Sequence, residues 1–398
     1  MNKNLFILVI SNTTSYFGNW IFKLLTTFLI WDLTKSALIT SLMALAEFAP
    51  NILFSPVGGA LADRIRLKRA SYFYSIILAA VSIICVMVLL VDFTSTITVY
   101  ALLGMVALNS GVGSFSRPVQ QKIMGFAFSK EAIGSALNLN SISFNVTKFS
   151  APLLTGAFIY LELYELGYII NAVSFLATAL ATYLYVYDRE PVNERSENSS
   201  LTGDIRSSVT YIVSDPSFKF LFSLAILGTV FSRSIYDILP VLTEYLLDSD
   251  SRKFVIISSS LGLFSVLAGF LNHYLKGETI ATPMKWSVAG IIFVSSNGLV
   301  SGFYPTVILL GLSSLCFVIS GLNTVSYIHR NSVESQKGKV LSFYYLVLFG
   351  GSSLGVLLYG LFIELDFNNG IWFVPLVGVL ALHFYPKKEF SDAKNLNT

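Results

Sequence analysis

The sequence predicts an all-α membrane protein with twelve transmembrane helices in two pseudo-symmetric six-helix bundles. Hydrophobic residues make up 54% of the 398 residues, charged residues make up only 12%, and the mean hydropathy is +0.69. Soluble domains are typically about 25% charged. A soluble chain of this size could not bury so much apolar surface, so the composition favours a multi-spanning membrane protein.

Twelve stretches are long and apolar enough to cross a bilayer, since a spanning helix needs roughly 20 mostly apolar residues. They are residues 5–31, 37–62, 70–91, 96–125, 133–160, 165–187, 217–246, 253–275, 284–303, 305–328, 339–363 and 369–386. The connection 188–208 is the least apolar of all. We therefore expect four parts, an N-terminal six-helix bundle, a cytoplasmic linker, a C-terminal six-helix bundle and a cytoplasmic tail: 1–187, 188–215, 216–386 and 387–398.

The distribution of Lys and Arg between loops predicts the orientation, because cytoplasmic loops are enriched in these residues. The outer loops contain Lys35, Arg252 and Lys253. The predicted cytoplasmic side contains Lys3, Arg64, Arg66, Lys68, Arg69, Lys122, Lys130, Arg189, Arg195, Arg206, Lys219, Lys276, Lys285, Arg330, Lys337, Lys339, Lys387, Lys388 and Lys394. Both termini are therefore expected in the cytoplasm of a bacterial cell, with the chain in the cytoplasmic membrane.

The first span carries a polar stripe. Asn12, Tyr16, Asn19 and Lys23 are spaced four, three and four residues apart, so they share one face of a helix. Other spans repeat the pattern with Asn109, Gly113 and Arg117, with Asn138, Ser141, Asn145 and Lys148, with Thr229, Arg233 and Asp237, and with Ser313, Cys316, Ser320, Asn323 and Tyr327. These stripes predict polar surfaces inside the membrane.

The charges in the spans are unbalanced. The cations are Lys23, Arg117, Lys148 and Arg233, whereas the acids at similar depth are Glu47 and Asp237. A charge at the bilayer centre costs about 2.5–3.5 kcal/mol on insertion scales, so such groups usually pair or face water. Asp237 follows Arg233 by four residues and can pair with it. Because Glu47 can pair with only one other cation, the surplus favours an acidic ligand.

Several of these residues have a structural alternative. Lys23 can extend to the membrane surface, since it lies eight residues from the end of its span. Arg117 can be a gate residue bonded to a carbonyl that Pro118 leaves unpaired. Glu47 can remain a fixed ion-pair partner, or it can titrate as a proton carrier.

The two halves of the chain share a repeat and a loop motif. Gly59 and Leu61 of GGALADRIRLKRA align with Gly269 and Leu271 of GFLNHYLKG. Two similar halves are a recurrent transporter plan. The first copy matches the major facilitator superfamily signature Gly-x-Leu-x-Asp-Arg-x-Gly-Arg-Lys/Arg, although that signature's second glycine and the arginine after it are Arg66 and Leu67 here. The matching positions are Gly59, Leu61, Asp63, Arg64, Lys68 and Arg69.

The resemblance to that superfamily implies roles for particular residues. Its loop after the second helix is a gate element, which implies gating by Asp63 and Arg64. Its first, fourth, seventh and tenth helices line a central cavity. This arrangement implies substrate binding, with Lys148 of the fifth span at the flank, by Asn19, Lys23, Arg117, Lys148, Arg233, Asp237, Asn323 and Tyr327.

Longer segments are similar to one branch of the superfamily. The runs DLTKSALITSLMALAEFAPNILFSPVGGALADR and QKGKVLSFYYLVLFGGSSLGVLLYG resemble enterobactin-type siderophore exporters and macrolide efflux pumps. The exporters' fifth-helix motif Gly-Pro-x-x-Gly-Gly keeps Pro152 and Gly156 but loses two glycines. The resemblance implies that the chain moves a small organic molecule outward.

The leading expectation is a secondary active transporter that exports a small acidic molecule, such as a carboxylate-type siderophore or metallophore, by alternating access. The chain has no nucleotide-binding motif, catalytic triad or metal-ligand cluster, so we expect no cofactor and no enzyme activity. Protons would then drive export, with Glu47 as the coupling residue. The expected partners are an anionic cargo, protons and the lipid bilayer, without nucleic acid, and the protein is expected to be a monomer. A multidrug or macrolide pump is the alternative, and a receptor or assembly protein is a third class.

Overall fold

The computed structural model describes residues 3–62, 65–91, 93–127, 147, 150–185, 209–247, 251–275, 279–367 and 372–373. Within these ranges the regular structure is helical and contains no strand. The contacts divide the chain into two compact units. The first comprises Met1–Arg195 and Ser249–Gly262, and the second comprises Ser196–Asp248 and Leu263–Thr398.

Besides residues 251–262 of a helix that continues into the second unit, the described part of the first unit contains six helices. They are α1 (Lys3–Thr34), α2 (Ala37–Ala62), α3 (Leu67–Leu90), α4 (Ser95–Ala127), α5 (Ser150–Tyr160) and α6 (Tyr164–Tyr185). Helix α2 packs along α4, and both α1 and α3 pack along α6. The α1–α2 turn forms because Lys35 adopts a left-handed conformation (φ 47°) and Ser36 Oγ accepts a hydrogen bond from the Ile39 amide.

Small and hydroxyl-bearing residues bring α1 close to α6. Gly18 faces Asn171 and Ser174 so closely that a Cβ at this position would overlap both side chains. Ser15 Oγ and Thr178 Oγ1 are hydrogen-bonded at 2.5 Å. Such contacts replace the hydrophobic driving force that helices lack in lipid. They fix α1, and with it the polar stripe, against the rest of the unit.

The described part of the second unit contains α7 (209–214), α8 (Pro216–Gly228), a π-helical turn (Thr229–Arg233), α9 (Ser234–Asp237), α10 (Leu239–Leu247), the second half of α11 (Ser251–Tyr274), α12 (Ala281–Ser295), α13 (Phe303–Asn331) and α14 (Glu334–Glu364). Helix α8 begins sharply because Asp215 caps the Ser217 and Phe218 amides, with Pro216 at the first helical position. Phe218, Leu221 and Phe222 bury against α13 and α14.

Two predicted spans differ from the observed helices. The segment 217–246 was expected as one helix, but the π-helical turn and a break at Ile238 interrupt it. The break precedes Pro240, which cannot donate to the carbonyl four residues back. The segment 284–303 was also expected as one helix, but α12 ends at Ser295 and continues as a 3-10 turn over Ser296–Leu299.

Eight of the described helical segments are long and apolar enough to cross a membrane. They are Ala37–Ser55, Leu67–Leu90, Ser95–Gln120, Tyr164–Leu184, Pro216–Asp237, Lys253–Asn272, Phe303–Asn331 and Val340–Glu364. Helices α1 and α12 overlap two further predicted spans. The fifth predicted span lies partly, and the twelfth almost wholly, outside the described residues, as do most of the linker and the whole tail. The counts of twelve helices and of six per half therefore stay predictions.

Candidate functional site

Lys23 of α1 forms an ion pair with Glu47 of α2. The Lys23 Nζ atom lies 2.9 Å from Glu47 Oε2, and the two side chains are 27% and 38% exposed. The same ammonium also lies over the ring of Trp20, 5.9 Å from its centroid. The sequence left open which cation pairs with Glu47, and the structure shows that it is Lys23. The charge of Lys23 is therefore compensated within the first unit.

Asn51, one helical turn after Glu47, joins α2 to α4. Its Nδ2 donates to the Glu47 carbonyl oxygen at 2.8 Å and to Ser110 Oγ. Its Oδ1 accepts from Ser114 Oγ at 2.9 Å and from Arg117 Nη1 at 3.3 Å. Ser110, Ser114 and Arg117 share one face of α4 because they are spaced four and three residues apart. One amide therefore connects the Glu47 backbone to the Arg117 guanidinium.

The hydrogen-bond partner of Arg117 is neutral. Neither of the ion pairs Lys23–Glu47 and Lys35–Asp32 includes Arg117. An amide oxygen orients a guanidinium without cancelling its charge. The structural alternative for Arg117 named a carbonyl beside Pro118 as its partner, whereas the guanidinium hydrogen-bonds to the Asn51 side chain. Sequence analysis missed Asn51, whose only signal was its position four residues after Glu47.

In the second unit, the π-helical turn ends at Arg233. A π-helical turn inside a long helix is rare, leaves carbonyl groups without their regular partners and is frequent at functional sites. Here Tyr359 of α14 donates its hydroxyl hydrogen to the Phe231 carbonyl oxygen. Ser352, also on α14, donates to Asp237 Oδ2 at 2.7 Å. Helix α14 thus supports the turn and contacts the acid next to it.

Two glycines let α14 approach the turn. A Cβ added at Gly351 would overlap Thr229 Oγ1, and one added at Gly355 would overlap the Val230 carbonyl oxygen and Ser234 Oγ. The Val230 carbonyl belongs to the backbone and cannot rotate away. The close packing of α14 therefore requires glycine at residue 355.

Gly355→Ala is expected to destabilise the protein, because overpacking of this kind typically costs about 1–3 kcal/mol. The measurement is the thermal unfolding midpoint of the purified protein in detergent. The matched control is Gly269→Ala on α11, where an added Cβ meets nothing within 4 Å. The control should keep or slightly raise the midpoint, since alanine favours helix over glycine. Equal midpoints for both variants would contradict the close packing.

A cavity of about 80 Å³ lies beside the π-helical turn, within the second unit. One water needs about 10–15 Å³ of space accessible to its centre, so the cavity has room for several waters or a small polar group. Its polar lining residues are Thr229, Arg233, Ser287, Ser320, Thr324 and Tyr344. None of the described residues that line it is acidic, so Arg233 gives the cavity a positive charge.

The remaining predicted site residues are distributed elsewhere. Asn323 of α13 donates to Asn272 Oδ1 of α11 at 2.6 Å, and the ring of Tyr327 packs on Phe218 with centroids 5.8 Å apart. Neither residue lines the cavity. Asn19 is half-buried on α1. Lys148, Asp63 and Arg64 lie outside the described residues, so their roles stay predictions.

Long apolar helices, with an ion pair and arginines within the predicted spans, define the class of the chain as a multi-pass membrane protein. The chain belongs to the transmembrane secretion effector family, which it matches over residues 1–379. It is 24% identical to the staphyloferrin A transporter of Staphylococcus aureus over 348 residues, which are 82% of this chain and 81% of that one.

Solved transporter structures share the fold. A variant of the nucleoside transporter NupG has a TM-score of 0.73 at 15% identity, covering 98% of this chain and 100% of that one. A bacterial homologue of the iron transporter ferroportin, in an inward-facing state, has a TM-score of 0.72 at 13% identity, covering 96% and 97%. The resemblance to the major facilitator superfamily is confirmed. The chain is a transporter and not an enzyme.

Proposed function

We propose that this transporter exports a small acidic organic molecule of the carboxylate siderophore or metallophore type. The observation that carries the proposal is the cavity at Arg233, which contains one cation and whose described lining residues include no acid. A planar guanidinium suits a carboxylate, which it can hold through two parallel hydrogen bonds. Arg117, oriented by the neutral amide of Asn51, is a second cation suited to an anion.

Two further considerations support the direction and the class of cargo. The name of the family refers to secretion, and the name of a relative refers to transport of staphyloferrin A. The Lys and Arg bias between loops favours a cytoplasmic location for both termini. We further propose a proton gradient as the energy source, with Glu47 as the proton carrier, two six-helix bundles at 1–187 and 216–386, and a monomer in the cytoplasmic membrane.

The test compares secreted medium and cell extract from strains with and without the protein, grown under metal limitation. We expect loss of the protein to retain an acidic, metal-chelating metabolite inside the cell and to lower it several-fold in the medium. A strain that expresses Arg233→Gln at the same membrane level separates loss of the cation from loss of the whole protein. It should behave like the deletion. If drug sensitivity changes while secretion of acidic metabolites does not, the protein is a drug pump and the proposal is wrong.

A further inference from the structure

The cavity beside the π-helical turn has a defined hydrogen-bond polarity. Ser320 Oγ donates to the Pro283 carbonyl oxygen at 2.8 Å. Ser320 Oγ also lies 2.6 Å from Ser287 Oγ. A hydroxyl has one proton, and a carbonyl has none. Because Ser320 gives its proton to Pro283, Ser287 must be the donor in the Ser287–Ser320 bond. Ser287 is then left with acceptor lone pairs only.

Thr229 has the same polarity. Its hydroxyl donates within its own helix, with the Ala225 carbonyl oxygen at 2.9 Å and the Ile226 carbonyl oxygen at 3.1 Å. Its proton is therefore engaged, and its remaining capacity toward the cavity is as an acceptor. Arg233 in contrast has only donors. One part of the lining offers positively charged N–H donors, and another offers hydroxyl oxygens that can only accept a hydrogen bond.

A ligand that satisfies both parts has an anionic acceptor and a neutral O–H donor close together. We propose that this cavity binds one hydroxycarboxylate group of the cargo, with the carboxylate on Arg233 and the adjacent hydroxyl donating to Ser287. The assignment rests on the proposed function, because it names the chemical class of the acidic molecule. A carboxylate with no hydroxyl leaves the acceptor lone pairs of Ser287 without a donor, although Ser287 keeps its bond to Ser320. An ammonium in place of the hydroxyl brings a second cation toward Arg233.

The test uses three four-carbon dicarboxylates that differ only at the second carbon: L-malate, succinate and L-aspartate. Their dissociation constants are measured by calorimetry on the purified full-length protein in detergent. We expect malate to bind about five- to tenfold more tightly than succinate, the effect of one hydrogen bond with its donor and acceptor both satisfied. Aspartate should bind more weakly than malate.

Variants then attribute the selectivity to residues. Ser287→Ala should remove the difference between malate and succinate while succinate still binds, which also shows that the variant is folded. Arg233→Gln should weaken binding of both. The matched control is Ser265→Ala, which breaks another buried serine pair, Ser265–Ser314 at 2.9 Å, outside the cavity lining. The control should keep the selectivity of the unaltered protein.

Three results would overturn the assignment: no malate binding, equal binding of malate and succinate, or selectivity that survives Ser287→Ala. None of these results tests the proposed function, which the secretion experiment tests without relying on a hydroxyl group in the cargo. Conversely, malate selectivity that depends on Ser287, together with unchanged secretion in the deletion strain, would support the cavity and refute the exporter.

Discussion

Glu47→Gln is expected to abolish proton-driven export. A glutamine amide cannot take up and release a proton near neutral pH, so a pH gradient can no longer be exchanged for cargo. The measurement is accumulation, in everted membrane vesicles with an acidic interior, of the metabolite identified by the secretion experiment. Exchange of labelled for unlabelled metabolite at equal pH should persist, because it needs no net proton movement. Normal gradient-driven accumulation would exclude Glu47 as the carrier.

The same substitution also removes the carboxylate 2.9 Å from the Lys23 ammonium. An uncompensated cation in the bilayer costs up to about 2.5–3.5 kcal/mol, and partial exposure of this pair lowers that cost. The double variant Lys23→Gln/Glu47→Gln separates stability from coupling. It should recover the thermal midpoint that Glu47→Gln loses while remaining unable to use the pH gradient. Recovery of gradient-driven transport would show that only the stability effect is real.

Asn51→Asp is expected to weaken binding of the anionic cargo at least tenfold, which corresponds to about 1.4 kcal/mol. The aspartate would accept from Ser114 and Arg117 as the amide oxygen does, but it would add a negative charge. Arg117 would then form an ion pair with this helix neighbour and lose its attraction for a carboxylate. The measurement is the KM, in vesicles, of the metabolite identified by the secretion experiment.

A second variant distinguishes charge from lost hydrogen bonds. Asn51→Leu removes the same amide donors to Glu47 and Ser110 and adds no charge. If charge decides, Asn51→Asp should raise the KM much more than Asn51→Leu does. Equal effects in the two variants would mean that Asn51 is structural and that Arg117 does not contact the cargo.

The sequence predicted local features because their physical signals are local. Apolar runs alone indicated most of the described helices, since burial in lipid depends on each segment's own composition. The spacing of Asn12, Tyr16, Asn19 and Lys23 along α1 similarly follows from helix periodicity. The break before Pro240 was also visible in the sequence, but hydropathy averaged across it.

The π-helical turn had no comparable signal. The segment TVFSR, residues 229–233, reads as ordinary helix, and its altered hydrogen bonding is supported from α14 by Tyr359, Gly351 and Gly355. These residues lie more than a hundred positions away in sequence. Which groups would surround Arg233 therefore could not be derived from its own span, and Ser287 was not predicted at all.

The sequence by itself determined the class of protein, the helical segments and the presence of more cations than acids within the spans, because composition and periodicity act within one segment. Tertiary structure alone decided which charges are compensated. Glu47 neutralises Lys23, whereas Asn51 holds Arg117 with a neutral amide. It also decided that Ser287 in the cavity lining has only acceptor capacity left, because Ser320 gives its proton to Pro283 and Ser287 gives its own to Ser320. Pairing and hydrogen-bond direction depend on distances between helices, and those distances are set only when the helices pack.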